Sequence, residues 1–237
     1  MFRKLMFVAM IAVLPGVASL ALAETPAAAP MPTVKELLSR VDANLNSDSR
    51  SSTMKMTVVN DKRVRTFEMR SFAQGEDTAA IEYLAPARDK GTRMLKKGDE
   101  LWLYMPAVEK TQKISGHMMR QGMMGSDMSY EDMMGSTDWD EQYDGVVEGT
   151  EVIDGRKHYK VVLTAKDETV TYPKRITWVD AETLIPARQE LYALSGMLLK
   201  RWDMTDVKEF EGGRRFPTKM RVLDQLKQNS YTEIEIT

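Results

Sequence analysis

One change of period organises this chain. A single stretch repeats its apolar residues every three to four positions, and nearly everything after it repeats every two. Val34, Leu37, Leu38, Val41 and Leu45 fall on one stripe of a helix. Thr33 followed by Glu36, just after Pro32, is a capping-box start signal, so the helix is expected over residues 33–45. From Met54, Met56 and Val58 onward the alternation is that of strands. Strand-like segments fall at residues 54–58, 64–73, 79–84, 92–96, 101–105, 110–114, 144–152, 158–163, 175–179, 185–192, 197–204, 218–223 and 232–236. Turn signals separate them, among them Asn60-Asp61, Lys97-Gly98-Asp99, Asp154-Gly155 and Gly212-Gly213. Such a series forms antiparallel meanders in a sandwich or barrel, and the lone helix must bury its stripe against the concave face.

Leu101-Trp102-Leu103-Tyr104-Met105-Pro106 breaks the alternation, being apolar on both sides. Either it is the most central strand, or one face lies under the protein's own chain and the other under a ligand or partner. A second exception is His117–Gly135, where seven methionines (118, 119, 123, 124, 128, 133 and 134) sit among glycines. Unbranched and polarizable, methionine suits a surface that accepts several apolar shapes. Three readings stand: an adaptable apolar flap, a buried connector, or soft thioether ligands for Cu(I) joined by His117. Asp127, Tyr130, Glu131 and Asp132 are poor company for a soft metal. Methionines also recur through the strands, at 54, 56, 69, 94, 105, 197, 204 and 220, which favours packing.

Several chemistries lack their residues. Cysteine is absent, which removes disulfides, a thiol nucleophile and a lipidated N-terminal cysteine. Only His117 and His158 exist, with no His-Glu-x-x-His pairing, and His158 at a strand start reads as a surface or edge residue. No Gly-x-Ser-x-Gly, phosphate loop or Gly-x-Gly-x-x-Gly occurs. Nothing points to an enzyme or to a cofactor, and apart from the copper reading of the methionine segment no metal site is expected.

The N-terminus reads as an export signal. Arg3 and Lys4 precede the apolar run Leu5–Leu14, and Ala21-Leu22-Ala23 is a small-residue cleavage pattern, predicting cleavage after Ala23 and a periplasmic product. Residues 24–32 read as a disordered lead-in and residues 33–237 as a single domain. Without Arg3 and Lys4 the 33 basic residues fall to 31 against 35 acidic ones, a net charge of −4. The two signs are interspersed, which argues against nucleic acid as a partner.

Gly91-Thr-Arg-Met-Leu-Lys-Lys-Gly-Asp-Glu-Leu-Trp-Leu-Tyr-Met-Pro-Ala-Val-Glu-Lys-Thr-Gln-Lys-Ile114 resembles the outer-membrane lipoprotein-sorting proteins, periplasmic LolA-like carriers. Gly125-Ser-Asp-Met-Ser-Tyr-Glu-Asp-Met133 is similar to a segment of the same family, as are Asp180-Ala-Glu-Thr-Leu-Ile-Pro186 and Gly213-Arg-Arg-Phe-Pro-Thr-Lys-Met220. The chain departs from the family by ending at Thr237, inside the last strand, which implies either a chain cut short or a sheet edge left uncovered there. The resemblance implies an α+β, mostly antiparallel fold: a half-open β-barrel of about 10–11 strands over the N-terminal helix and a short lid helix. It implies a cavity that carries lipid or acylated lipoprotein cargo. In this subgroup it also implies work alongside an inner-membrane transporter of the resistance-nodulation-division superfamily. On that reading Leu95, Leu101, Trp102, Leu103, Tyr104 and Met105 are the expected wall, and Met118, Met119, Met123, Met124, Met128 and Met133 the expected lid. An accessory or sensor subunit, or a Met-rich copper binder, are the alternatives.

Overall fold

The helix begins where its capping signal places it. Helix α1 spans Val34–Leu45. The Thr33 backbone N–H donates to Glu36 Oε2 at 2.9 Å, and the Glu36 N–H donates to Thr33 Oγ1 at 3.3 Å. Thr33→Ala is therefore expected to cost about 1 kcal/mol, read as a shift of the urea midpoint. Hydrogen bonds from the Thr33 hydroxyl and backbone hold the Glu36 carboxyl below its ordinary 4.5. Its contribution is thus complete above that value and lost as pH falls through the lowered one.

The computed structural model describes residues 31–45, 47–75, 77–134 and 139–237; the expected export signal and the lead-in up to Pro30 lie outside them. The strands are β1 (Ser49–Asn60), β2 (Arg63–Gln74), β3 (Thr78–Ala85), β4 (Arg93–Lys97), β5 (Glu100–Met105), β6 (Lys110–Ile114), β7 (Tyr143–Ile153), β8 (Arg156–Ala165), β9 (Lys174–Asp180), β10 (Pro186–Tyr192), β11 (Leu198–Glu209), β12 (Arg215–Asp224) and β13 (Tyr231–Ile236). Two short helices, α2 (Tyr130–Met134) and α3 (Trp139–Gln142), connect β6 to β7. Among the described residues no helix is long and apolar enough to cross a membrane.

All thirteen strands form one open antiparallel sheet in the order β6-β5-β4-β3-β2-β1-β13-β12-β11-β10-β9-β8-β7. The fold class is as expected, and all thirteen strand-like segments of the sequence pair, β4, β5 and β6 included, where the resemblance implied about 10–11 strands. A second correction concerns the last strand. Instead of an edge, β13 lies mid-sheet between β1 and β12; β6 and β7 are the edges. A third concerns β5, which sits second from an edge and is not central.

Register decides what the sheet covers. Val147, Val161, Thr177, Gln189, Trp202, Val222, Thr232, Val58 and Arg65 are successive cross-strand partners from β7 to β2. Directly paired residues share a face, so this row marks the inner side. Two clusters pack on it. Over β7–β9, Leu37, Leu38 and Val41 of α1 meet Trp139, Tyr143, Val161, Leu163 and Val179. Gly145 makes that contact possible: a Cβ there would lie 2.7 Å from Leu163 Cδ2 and 3.0 Å from Val34 Cγ2. Over β1–β6, Met123, Met128 and Tyr130 cover Met56, Phe67, Met69, Tyr83, Met94, Leu101 and Leu103.

The Asp180–Pro186 segment is a hydrogen-bonded turn between β9 and β10. Asp180 Oδ1 accepts the backbone N–H groups of Glu182 at 3.0 Å and Thr183 at 2.7 Å. His158, expected at the surface, is instead 3% exposed. On the face opposite Val161, its Nε2 lies 3.7 Å from Asp180 Oδ2 and its Nδ1 2.9 Å from the Arg156 carbonyl.

Candidate functional site

The two inner clusters leave a gap between them. Strands β13, β12 and β11 run under that gap, and their inward residues Ile236, Met220 and Trp202 are only partly buried. A cavity of about 460 Å³ opens there. Met54, Met69, Trp202, Met220, Ile234 and Ile236 form much of its apolar floor. Met123, Met128 and Met133 close one side, and Asn44 and Leu45 at the end of α1 close the other. The mouth is polar, with Arg50, Ser52, Ser71 and Arg214 among its lining residues. The volume falls in the usual range for small-molecule sites, and the apolar lining is joined by polar residues at the mouth, by Asn44 at the end of α1 and by Asp132 in the roof.

The methionine segment that roofs the cavity is pinned down residue by residue. Asp127, 2% exposed, reaches β13: its N–H donates to Thr232 Oγ1 at 2.9 Å. Its carboxylate accepts from Thr232 Oγ1 at 2.8 Å, Ser230 Oγ at 2.7 Å and Lys227 Nζ at 3.2 Å. Ser129 and Asp132 repeat the capping-box exchange at α2, with the Ser129 N–H on Asp132 Oδ2 at 2.7 Å and the Asp132 N–H on Ser129 Oγ at 3.1 Å. Asp132 also accepts the Tyr172 hydroxyl at 2.7 Å and pairs with Lys200 of β11. Burial and the Asp132 charge push the Tyr172 hydroxyl well above its ordinary value, so it stays a donor at neutral pH. Arg65 of β2 donates to the Met124 carbonyl, and Lys96 of β4 to the Met134 carbonyl at 3.1 Å.

Within the segment, Met123 N–H bonds the Met128 carbonyl at 2.8 Å and Tyr130 N–H the Gln121 carbonyl at 3.1 Å. This tight closure depends on Gly122, where a Cβ would lie 2.3 Å from the Ser126 carbonyl oxygen. The obstacle is backbone, so no side-chain rotation relieves it. Gly122→Ala is expected to destabilise the protein by roughly 2–4 kcal/mol, measured by thermal melting.

A family model described as that of an uncharacterized protein matches residues 75–237, well over half of the chain. The chain belongs to that family. No curated protein matches it. Its fold is similar to that of a DUF1329 family protein from Desulfovibrio piger ATCC 29098, at 26% identity and a TM-score of 0.79, covering 85% of this chain and 89% of that one. It is similar to an outer membrane lipoprotein-sorting protein domain from Vibrio parahaemolyticus, at 22% identity and a TM-score of 0.77, over 85% of this chain and 89% of that one. It also resembles the LolA superfamily protein NE2245 from Nitrosomonas europaea, at 23% identity and a TM-score of 0.72, over 87% and 92%. The fold of this family member is therefore LolA-like.

In this DUF1329-like, LolA-like frame the residues expected for wall and lid divide into groups. Met123, Met128 and Met133 line the cavity. Leu101 and Leu103 face the inner side but are buried, at 3% and 8% exposure, and Met105 packs against the same cluster. Met118, Met119 and Met124 also pack there and do not line the cavity; Met118 Sδ accepts from Gln112 Nε2 at 3.4 Å. Leu95, Trp102 and Tyr104 alternate with buried Met94, Leu101 and Leu103 and so lie on the outer face. There Lys113 Nζ sits 5.4 Å from the Trp102 ring centroid. The polar residues of the mouth were not anticipated from the sequence. Their signal was parity: Arg50 and Ser52 continue the inward positions of Met54, Met56 and Val58, and Ser71 continues those of Phe67 and Met69.

Proposed function

We propose that this protein is a periplasmic carrier, a binder without catalysis, that holds an acylated ligand in the cavity and hands it between membranes. The ligand is a lipid or the acyl moiety of a lipoprotein. The observation that carries this reading is an apolar cavity of about 460 Å³ left between two packed clusters on a LolA-like sheet. At about 0.8 kcal/mol per CH₂, exposing a 16-carbon chain to water costs on the order of 12 kcal/mol. A protein that replaces most of that burial makes transfer between donor and acceptor nearly isoenergetic. Met123, Met128 and Met133 suit the task, because methionine fills a gap of changing shape. Met123 and Met128 are buried with Tyr130 against the sheet and Met133 packs beside them, which favours this packing role over copper ligation. The test is uptake of a fluorescent fatty acid by the purified protein. Saturable binding at about one per chain supports the reading, and no uptake by folded protein overturns it.

A compatible second reading takes the protein as an accessory subunit of an inner-membrane transporter of the resistance-nodulation-division superfamily. It is favoured by the outer face, where Phe72, Ala80, Leu95 and Trp102 are successive cross-strand neighbours. Phe72 and Leu95 are 48% and 43% exposed. Crosslinking from position 95 to a membrane protein in cells would support it, and a crosslink-free outer face would count against it.

A further inference from the structure

The cavity is apolar at its floor and basic at its mouth. Arg50 of β1 and Arg214, just before β12, both line the opening. Arg50 Nη1 donates to the Leu45 carbonyl at 3.1 Å, and its guanidinium carbon lies 6.0 Å from the Phe216 ring centroid. Among the described residues no carboxylate lies within ion-pair distance of Arg50. The Arg214 charge is near enough to act on Arg50: crowding by the protein and this like charge both lower the Arg50 pKa. Two carboxylates line the cavity. Asp132 is already matched by Lys200, Tyr172 and the Ser129 N–H, while Glu211 stands at the mouth. Ser52 and Ser71 add hydroxyls to the same rim. Arg50 and Arg214 line the same opening, and a guanidinium presents a planar fork of N–H donors that matches an oxyanion.

We propose that Arg50 and Arg214 bind the oxyanion head, carboxylate or phosphate, of a ligand whose acyl chain fills the cavity. The inference rests on the carrier reading and narrows its cargo to anionic amphiphiles. Calorimetric titration of the full chain with dodecanoate, dodecyl phosphate and dodecanol tests it. The wild type should bind both anions about tenfold or more tighter than the alcohol, the scale of one charge-assisted hydrogen-bonded contact. Arg50→Gln and Arg214→Gln should each remove most of that preference while leaving dodecanol binding within about twofold. Arg214→Gln carries the test should Arg50→Gln loosen the end of α1, which a melting curve reports. Equal affinity for all three ligands, or parallel loss of dodecanol in the Arg214→Gln variant, overturns the headgroup assignment and leaves the carrier intact. Inorganic phosphate displacing dodecyl phosphate at equal concentration would place a free-anion site there and also overturn it. Binding of none of the three refutes both the assignment and the carrier.

Discussion

Lys200→Ala is expected to destabilise the protein by about 3–5 kcal/mol, the cost of leaving a buried carboxylate without its cation. The Lys200 and Asp132 side chains are 11% and 3% exposed and in contact. Asp132 keeps the Tyr172 hydroxyl and the Ser129 N–H in the variant, but neither carries a charge to offset its own. The loss should fall on the roof, since Asp132 lies in α2 and completes its capping box while Lys200 belongs to the floor strand β11. The double change Asp132→Asn with Lys200→Met should recover much of the stability, because a neutral pair of similar volume avoids the isolated charge. Denaturant melts of Asp132→Asn, Lys200→Met and the double variant check this. Additive losses in the double variant would show that the pair does not tie roof to floor.

Ser71→Trp is expected to abolish acyl-chain uptake, by well over tenfold, at a stability within about 1 kcal/mol of the wild type. Ser71 projects inward from β2 at the cavity mouth, beside Ser52, its cross-strand partner. An indole there enters open space and buries apolar area that cargo would otherwise cover. Binding curves and thermal melts on the same sample separate plugging from misfolding. Uptake unchanged in a folded Ser71→Trp variant would move the binding site elsewhere.

Local features were legible in the chain. Thr33 and Glu36 announced their cap, and the period of two placed every strand of the sheet, because both depend on residues within a few positions of each other. Parity was harder. Leu101-Trp-Leu-Tyr-Met is apolar on both faces, and only pairing with Met94 and Leu95 shows that Leu101 and Leu103 turn inward while Trp102 and Tyr104 turn out. The anchors of the roof were out of reach, since the partners of Asp127 lie about a hundred residues away at Lys227, Ser230 and Thr232. The methionines resemble one continuous lid in sequence, yet Met118, Met119 and Met124 pack against the cluster while Met123, Met128 and Met133 border the cavity. The cavity arises from where two separate clusters stop, a property of register across the whole sheet that no local pattern encodes.

Native mass spectrometry and lipid extraction of the gently isolated protein address the hollow most directly. The wild type should carry about one acyl-chain ligand per chain, and the Ser71→Trp variant, purified in parallel, should carry none. A folded wild type that is free of lipid as isolated, and that takes up no fatty acid when offered one, would contradict the account.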